Sequence, residues 1–208
     1  MSLVIFDTEF TSWQGCLEKG WTGSYKKEIV QIAAVKVTDK LEVVAEFNVL
    51  CKPVINPVLS DYFVDLTHIT NEQINVEGIL FREAYDKFVD FTGDDICYSH
   101  RWGSDFENKS DGAILEENIS LYKLSLNKRL VYKNIAAVFQ KLYLENNIKV
   151  AKQSSGEIAR ILGLEQKLQE LGHNPHYALY DVYSILEGLK YFYPGSIKLI
   201  KKLTKQAV

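Results

Sequence analysis

The sequence predicts an α/β fold in which a mixed sheet, its first three strands antiparallel, is flanked by helices. Three observations carry this. Apolar runs with strand spacing crowd the first fifty residues; helical spacing takes over from Phe81 with one further short strand inside it; and no linker or repeat interrupts the chain. A length of 208 residues is that of one domain, so 1–208 reads as a single globular unit.

A first strand is expected at 2–8, where Leu3-Val4-Ile5-Phe6 runs without a charge. A second is placed at 28–38 on Ile29, Val30, Ile32, Ala34 and Val35, and a third at 41–50, after the turn-forming Thr38-Asp39-Lys40. Residues 53–78, broken by Pro53 and Pro57, are expected as loop with single helical turns. Phe81, Ala84, Tyr85, Phe88 and Phe91 mark a helix, and Ile96-Cys97-Tyr98 a short strand beyond Gly93. Helices then fit 105–118, 133–145, 154–162, 165–171 and 176–193, with Gly172, Asn174 and Pro175 separating the last two; a final short helix follows Pro194-Gly195.

Composition narrows the function. Lys and Arg number 24 against 27 Asp and Glu, which speaks against a broad basic surface, so any positive charge that meets a phosphate backbone must be local or come from metal ions. Cys16, Cys51 and Cys97 contain no C-x-x-C pair, which argues against a zinc or redox site. The longest apolar stretches fall far short of the roughly 18 residues of a membrane span, and the N-terminus has no basic region ahead of a long apolar one. A cytoplasmic protein with no membrane partner is expected.

Asp7-Thr8-Glu9 ends the first strand, and the two-residue period puts both carboxylates on one face, about 7 Å apart along the chain. Two acids at the end of a core strand repel one another and lose hydration, a cost that a hard cation such as Mg²⁺ or Mn²⁺ relieves; alone, the pattern also marks any strand emerging into water. His176 and Asp181 open the helix at 176–193. Five residues turn a helix through about 140°, so the two serve different positions of one site or are a surface pair. A helix N-terminus disfavours imidazolium and helps keep His176 a neutral base. Asp105 follows the strand at 96–98, where α/β sites form, and is also an ordinary helix N-cap.

Taken in order, Asp7-x-Glu9, Asp105, and His176 with Asp181 resemble the DEDDh exonucleases. Glu28-Ile-Val-Gln-Ile-Ala-Ala-Val and Leu66-Thr-His-Ile-Thr-Asn-Glu-Gln-Ile74 add to the likeness, which covers nearly the whole chain; the segment from Leu66 is similar to the family's L-T-G-I-T loop. The resemblance implies an RNase-H-like fold and a two-metal 3′-to-5′ exonuclease that releases nucleoside 5′-monophosphates from single-stranded RNA or DNA 3′ ends. It implies that Asp7, Glu9 and Asp181 hold one Mg²⁺ or Mn²⁺, that Asp7 bridges to another supported by Asp105, and that His176 takes the proton from the attacking water. Thr8, Phe10, Thr11 and His68 fall where relatives contact substrate, with Phe10 able to stack on the last base. Four carboxylates contribute about −4 and two divalent ions about +4, so metal and substrate should bind cooperatively.

The sequence also departs from the family. Arg101-Trp102-Gly103-Ser104 stands where many relatives carry Asn before the third acid, which leaves Glu107 as the alternative to Asp105, and His68 replaces a glycine. The Trp-Gly pair resembles the subgroup that trims interfering RNA and histone messenger stem-loops, which favours RNA over DNA. The alternatives are a DNA exonuclease of the proofreading type and a catalytically inactive nucleic-acid-binding scaffold. The complete set of four acids and one His argues against the latter. A phosphate hydrolase of the G-x-x-x-x-G-K type lacks its loop here. Lys198, Lys201 or Lys202, and Lys205 share a helical face that suits a phosphate backbone, or simply solvent. A homodimer or a recruiting partner protein would supply processivity.

Overall fold

A computed structural model describes residues 2–102, 110–171 and 177–193. The helix expected after Pro194, with its lysines, lies outside them. The described chain runs β1 (Leu3–Phe10), α1 (Cys16–Lys19), β2 (Ile29–Val37), β3 (Val43–Lys52), α2 (Asp61–Thr67), α3 (Asn71–Glu77), β4 (Ile79–Leu80), α4 (Phe81–Thr92), β5 (Cys97–Ser99), α5 (Asp111–Leu121), β6 (Tyr132–Asn134), α6 (Ala136–Glu145), α7 (Glu157–Ile161), α8 (Glu165–Glu170) and α9 (Ala178–Phe192).

The strands form one six-stranded sheet in the order β4-β3-β2-β1-β5-β6. As the sequence predicts, β1, β2 and β3 are antiparallel neighbours, while β5 joins β1 in parallel and β6 joins β5 in parallel. The uncharged start of β1 explains its inner place. Leu3 and Ile5 pack on one face with Val182, Ile185 and Leu186 of α9. Val4 and Phe6 pack on the other with Ala84 and Phe88 of α4 and Leu115 of α5. Val4, Ile5 and Phe6 are fully buried, each worth roughly 1.5–3 kcal/mol.

Three expectations are corrected. The segment 53–78 holds two complete helices, because its caps were in the sequence: Ser60 Oγ accepts from Phe63 N–H at 3.1 Å, and Thr70 with Gln73 forms a reciprocal capping box ahead of α3. The third strand starts at Val43, because Leu41 turns at φ 63° and buries its side chain in the core. The start of the helix expected at 133–145 is instead β6, which buries its main chain against β5.

Glu28 ties the sheet to the turn ahead of α2. Its carboxylate is buried and accepts from the backbone N–H groups of Val54, Ile55 and Asn56 at 2.6, 2.7 and 2.6 Å, and from Tyr122 Oη at 2.6 Å. Three oriented N–H groups replace the water a carboxylate loses on burial.

Candidate active site

Three chain segments meet beyond the carboxyl ends of the parallel pair β1 and β5. Asp7 and Glu9 continue the face of β1 that Ile5 packs toward α9, while Thr8 points to the opposite face. There Thr8 Oγ1 donates to Asp111 Oδ1 at 2.9 Å, and Asp111 N–H donates to Ser99 Oγ at 3.2 Å, which ties the start of α5 to the end of β5. Asp181 lies in the first turn of α9, whose entry is fixed by Ala178 N–H donating to Gln31 Oε1 at 3.0 Å. The four carboxylates line one cavity of about 660 Å³.

Ser155 joins two of them. Its Oγ lies 2.7 Å from Asp181 Oδ2 and 3.2 Å from Asp7 Oδ1, and one hydroxyl proton serves one carboxylate at a time. Ser184, one turn beyond Asp181, holds Ser155 in place: its Oγ donates to Ser155 O at 2.7 Å and accepts from Ala159 N–H at 2.9 Å.

The electrostatics are those of acids crowded away from water. Burial, then the charges of Asp111, Asp181 and Glu9, hold the Asp7 carboxyl well above the usual range, with the Ser155 hydrogen bond opposing. Burial, then Asp181 and Asp111, raise Glu9 in the same way; burial raises Asp111, and burial pushes Asp181 up to about 7. Asp181 Oδ1 is buried without a hydrogen-bond partner. Among the described residues no three acids, histidines or cysteines stand close enough to hold one ion together as they are. The donor set nevertheless fits hard divalent cations. It consists of oxygen ligands, it carries excess negative charge, and one of its oxygens is unsatisfied.

Around this acid floor, Lys27, Arg101 and Lys152 line the same cavity. Positive charge is local here, as the overall balance requires. Phe10, Trp21 and Trp102 complete the wall together with His100 and Gln153. His100 is buried edge-on to Phe139, neither ring nitrogen has a partner, and burial pushes its pKa down to about 4. Gln153 Oε1 accepts from Tyr143 Oη at 3.0 Å, while its Nε2 is unpaired. A larger cavity of about 950 Å³ lies against α6; it shares Trp102 with the first, and its described lining has no acid.

Of the residues read from sequence, Asp7, Thr8, Glu9, Phe10 and Asp181 come together in this cavity. Thr11 does not line it: its hydroxyl donates to Lys26 O at 2.6 Å and accepts from Glu28 N–H at 3.0 Å, fixing the loop behind β1. His68 stands exposed at the C-terminal end of α2, at φ 60°, away from the cavity lining. Asp105, Glu107 and His176 lie outside the described residues. Asp111, Ser155, His100 and Gln153 carry no motif that sequence reasoning assigns to the site. The sequence cue for Asp111 is Ser-Asp-Gly ahead of Ala-Ile-Leu, a helix start six residues beyond Asp105.

Among solved structures the chain resembles cell-death related nuclease 4 (CRN-4), at 20% identity and a TM-score of 0.69 over 91% of this chain and 62% of that one. It also resembles the nuclease domain of 3′hExo, a DEDDh family member bound to rAMP, at 21% identity and a TM-score of 0.65 over 90% and 88%. Escherichia coli exonuclease I in complex with a dT13 oligonucleotide matches at 15% identity and a TM-score of 0.68, over 98% of this chain and 43% of that one. The chain thus spans less than two thirds of CRN-4 and less than half of exonuclease I. These likenesses concern the fold, which is RNase-H-like. No curated protein matches the chain by sequence. The family model RNase_T, described as Exonuclease, matches residues 4–189, the span from β1 to α9 that carries all four acids. In keeping with its motifs, the chain belongs to this exonuclease family.

Proposed function

We propose that the protein is a 3′-to-5′ exonuclease that removes nucleoside 5′-monophosphates from single-stranded nucleic acid, with RNA preferred. The observation that carries this is the meeting of Asp7, Glu9, Asp111 and Asp181 in one cavity, all with raised proton affinity, beneath a rim of Lys27, Arg101 and Lys152. Asp7, Glu9 and Asp181 would hold one divalent ion and Asp7 with Asp111 another, Asp111 taking the place that the sequence motif gives to Asp105. Bound there, Mg²⁺ or Mn²⁺ would supply a nucleophile near neutral pH and charge for the leaving 3′ oxygen.

The chain's own residues do the rest. The basic rim draws the strand toward an acid floor that would otherwise repel it. Phe10, half-buried beside Glu9, offers a ring to the terminal base. His176, two positions before α9 in the sequence, takes the proton of the attacking water. Ser155 keeps Asp7 and Asp181 in register and gives way when charge arrives between them.

The preference for RNA draws support from the rAMP bound to 3′hExo and from another 3′-exonuclease structure described as recognising a histone mRNA stem-loop. The likeness to exonuclease I with its dT13 favours DNA instead. The test uses 5′-labelled single-stranded RNA and DNA of one sequence with Mg²⁺, Mn²⁺ or EDTA, comparing the wild type with Asp181→Ala and His176→Ala. A ladder shortening from the 3′ end, lost in EDTA and in both variants, is expected, and the faster substrate names the sugar. Intact strands that stay bound under every metal condition would leave a scaffold.

A further inference from the structure

Trp21 and Lys27 line both the acid cavity and a neighbouring, smaller depression whose other walls include Lys26 and Glu117. They form the ridge between the two. Lys27 Nζ lies 4.9 Å from the Trp21 ring centroid and 5.8 Å from that of Phe10, and the two rings lean on one another with centroids 5.6 Å apart. The corner is braced from behind: Trp21 Nε1–H donates to Thr11 O at 2.7 Å, and Thr11 N–H donates to Glu28 O at 2.9 Å. Glu117 stands 3.8 Å from Lys27 Nζ and is 55% exposed, a pairing that a stronger anion displaces readily.

A lysine usually loses rotamer freedom when it grips an anion. Here two aromatic rings already restrict the side chain while leaving the ammonium on the ridge, 23% of the side chain being exposed. The Trp21 ring is engaged by Lys27 and Phe10, so the chemistry free at this point is positive charge rather than a stacking face. Phe10 follows Glu9 directly in β1, so this ridge borders the acid floor and stands within reach of a strand whose 3′ end lies at Asp7 and Glu9.

We propose that Lys27 is a binding point for the phosphodiester next upstream of the cleaved one, and that Phe10 and Trp21 position its ammonium. The inference rests on the exonuclease reading of the cavity and adds a defined further phosphate to it.

The experiment walks a single neutral methylphosphonate linkage along a short oligonucleotide from its 3′ end. KM and kcat are measured with Mg²⁺, and the Kd by fluorescence anisotropy with Ca²⁺, for the wild type, Lys27→Met and Trp21→Leu. Lys27→Met is expected to raise KM about ten-fold, in KM rather than kcat. The wild type should show a matching loss when the methylphosphonate occupies the linkage next to the cleaved one, and the two changes together should cost no more than either alone. Trp21→Leu should weaken the same linkage by a smaller factor. An effect of Lys27→Met that is spread over all linkages, or that adds fully to the methylphosphonate at that linkage, overturns the assignment. Absence of hydrolysis in every protein would sink the exonuclease reading instead, while the Kd walk would still report on Lys27.

Discussion

A methyl group at Gly156 would lie 2.4 Å from Asp181 Oδ1, although the backbone there, at φ −67° and ψ −28°, is ordinary right-handed geometry that any residue adopts. This glycine is therefore required for space and not for conformation. Gly156→Ala should leave folding nearly intact and displace the carboxylate, lowering kcat on the order of 10²-fold, as losing one electrostatic partner of the transition state does. Chain-shortening rates and the melting temperature, read together, check this; a large fall in the latter would mean that the glycine supports the fold instead.

Asp111 is expected to be the third acid of the centre. Asp111→Asn should abolish most activity and weaken Mn²⁺ binding measured calorimetrically, whereas Asp105→Asn should retain both. The reverse pattern would return the role to Asp105.

The metal-free protein should respond to pH with two opposed slopes. Asp181, raised to about 7 by burial, keeps its proton in the folded state while an unfolded carboxyl has released it from about pH 4, so this group destabilises the fold increasingly from pH 4 to 7. Asp181→Asn should stabilise the fold more at pH 8 than at pH 4, by on the order of 2 kcal/mol after allowance for solvent at the cavity mouth, and raise the melting temperature accordingly. His100, held down to about 4 by burial, refuses a proton that an unfolded imidazole takes up below about 6.5, so its cost grows as pH falls from 6.5 to 4. The advantage of His100→Phe should therefore grow toward low pH. Thermal melts in EDTA across this range test both signs.

Glu28→Ala should destabilise by about 3 kcal/mol or more, because three backbone N–H groups at 54–56 lose their acceptor at once. Urea denaturation gives the value, and hydrogen exchange should show those three amides released before the rest.

His68 sits in left-handed geometry at the end of α2 with its side chain in solvent. His68→Gly should gain up to about 1 kcal/mol, seen as a melting temperature higher by about 2–4 °C. An unchanged or lower value would show that the imidazole makes a stabilising contact.

The parts of this centre carried by local periodicity are legible in the sequence. The two-residue period of β1 puts Asp7 and Glu9 on one face, and the apolar spacing of α9 places Asp181 in a helix docked on that strand. The place of Asp111 in the cavity is not legible, because it rests on contacts to Ser99 and Thr8, 12 and 103 residues away, which no local pattern shows. Glu28 reads as a charge at the mouth of a strand; only the fold shows that a turn 26 residues later wraps its carboxylate. His100 belongs to the same class, since an imidazole with no local partner gives no pattern to read. The helices within 53–78 are legible in principle, through Ser60 and through Thr70 with Gln73, but the prolines mask the signal.

Ser155 reaches back 148 positions to Asp7, and Asp181 enters later still. During synthesis the two acids of β1 therefore leave the ribosome long before their counterparts exist. A growing chain that stops short of α9 holds only part of the carboxylate cluster. The cluster is completed only when α9 docks on β1, so no amino-terminal fragment that stops short of Asp181 can assemble it.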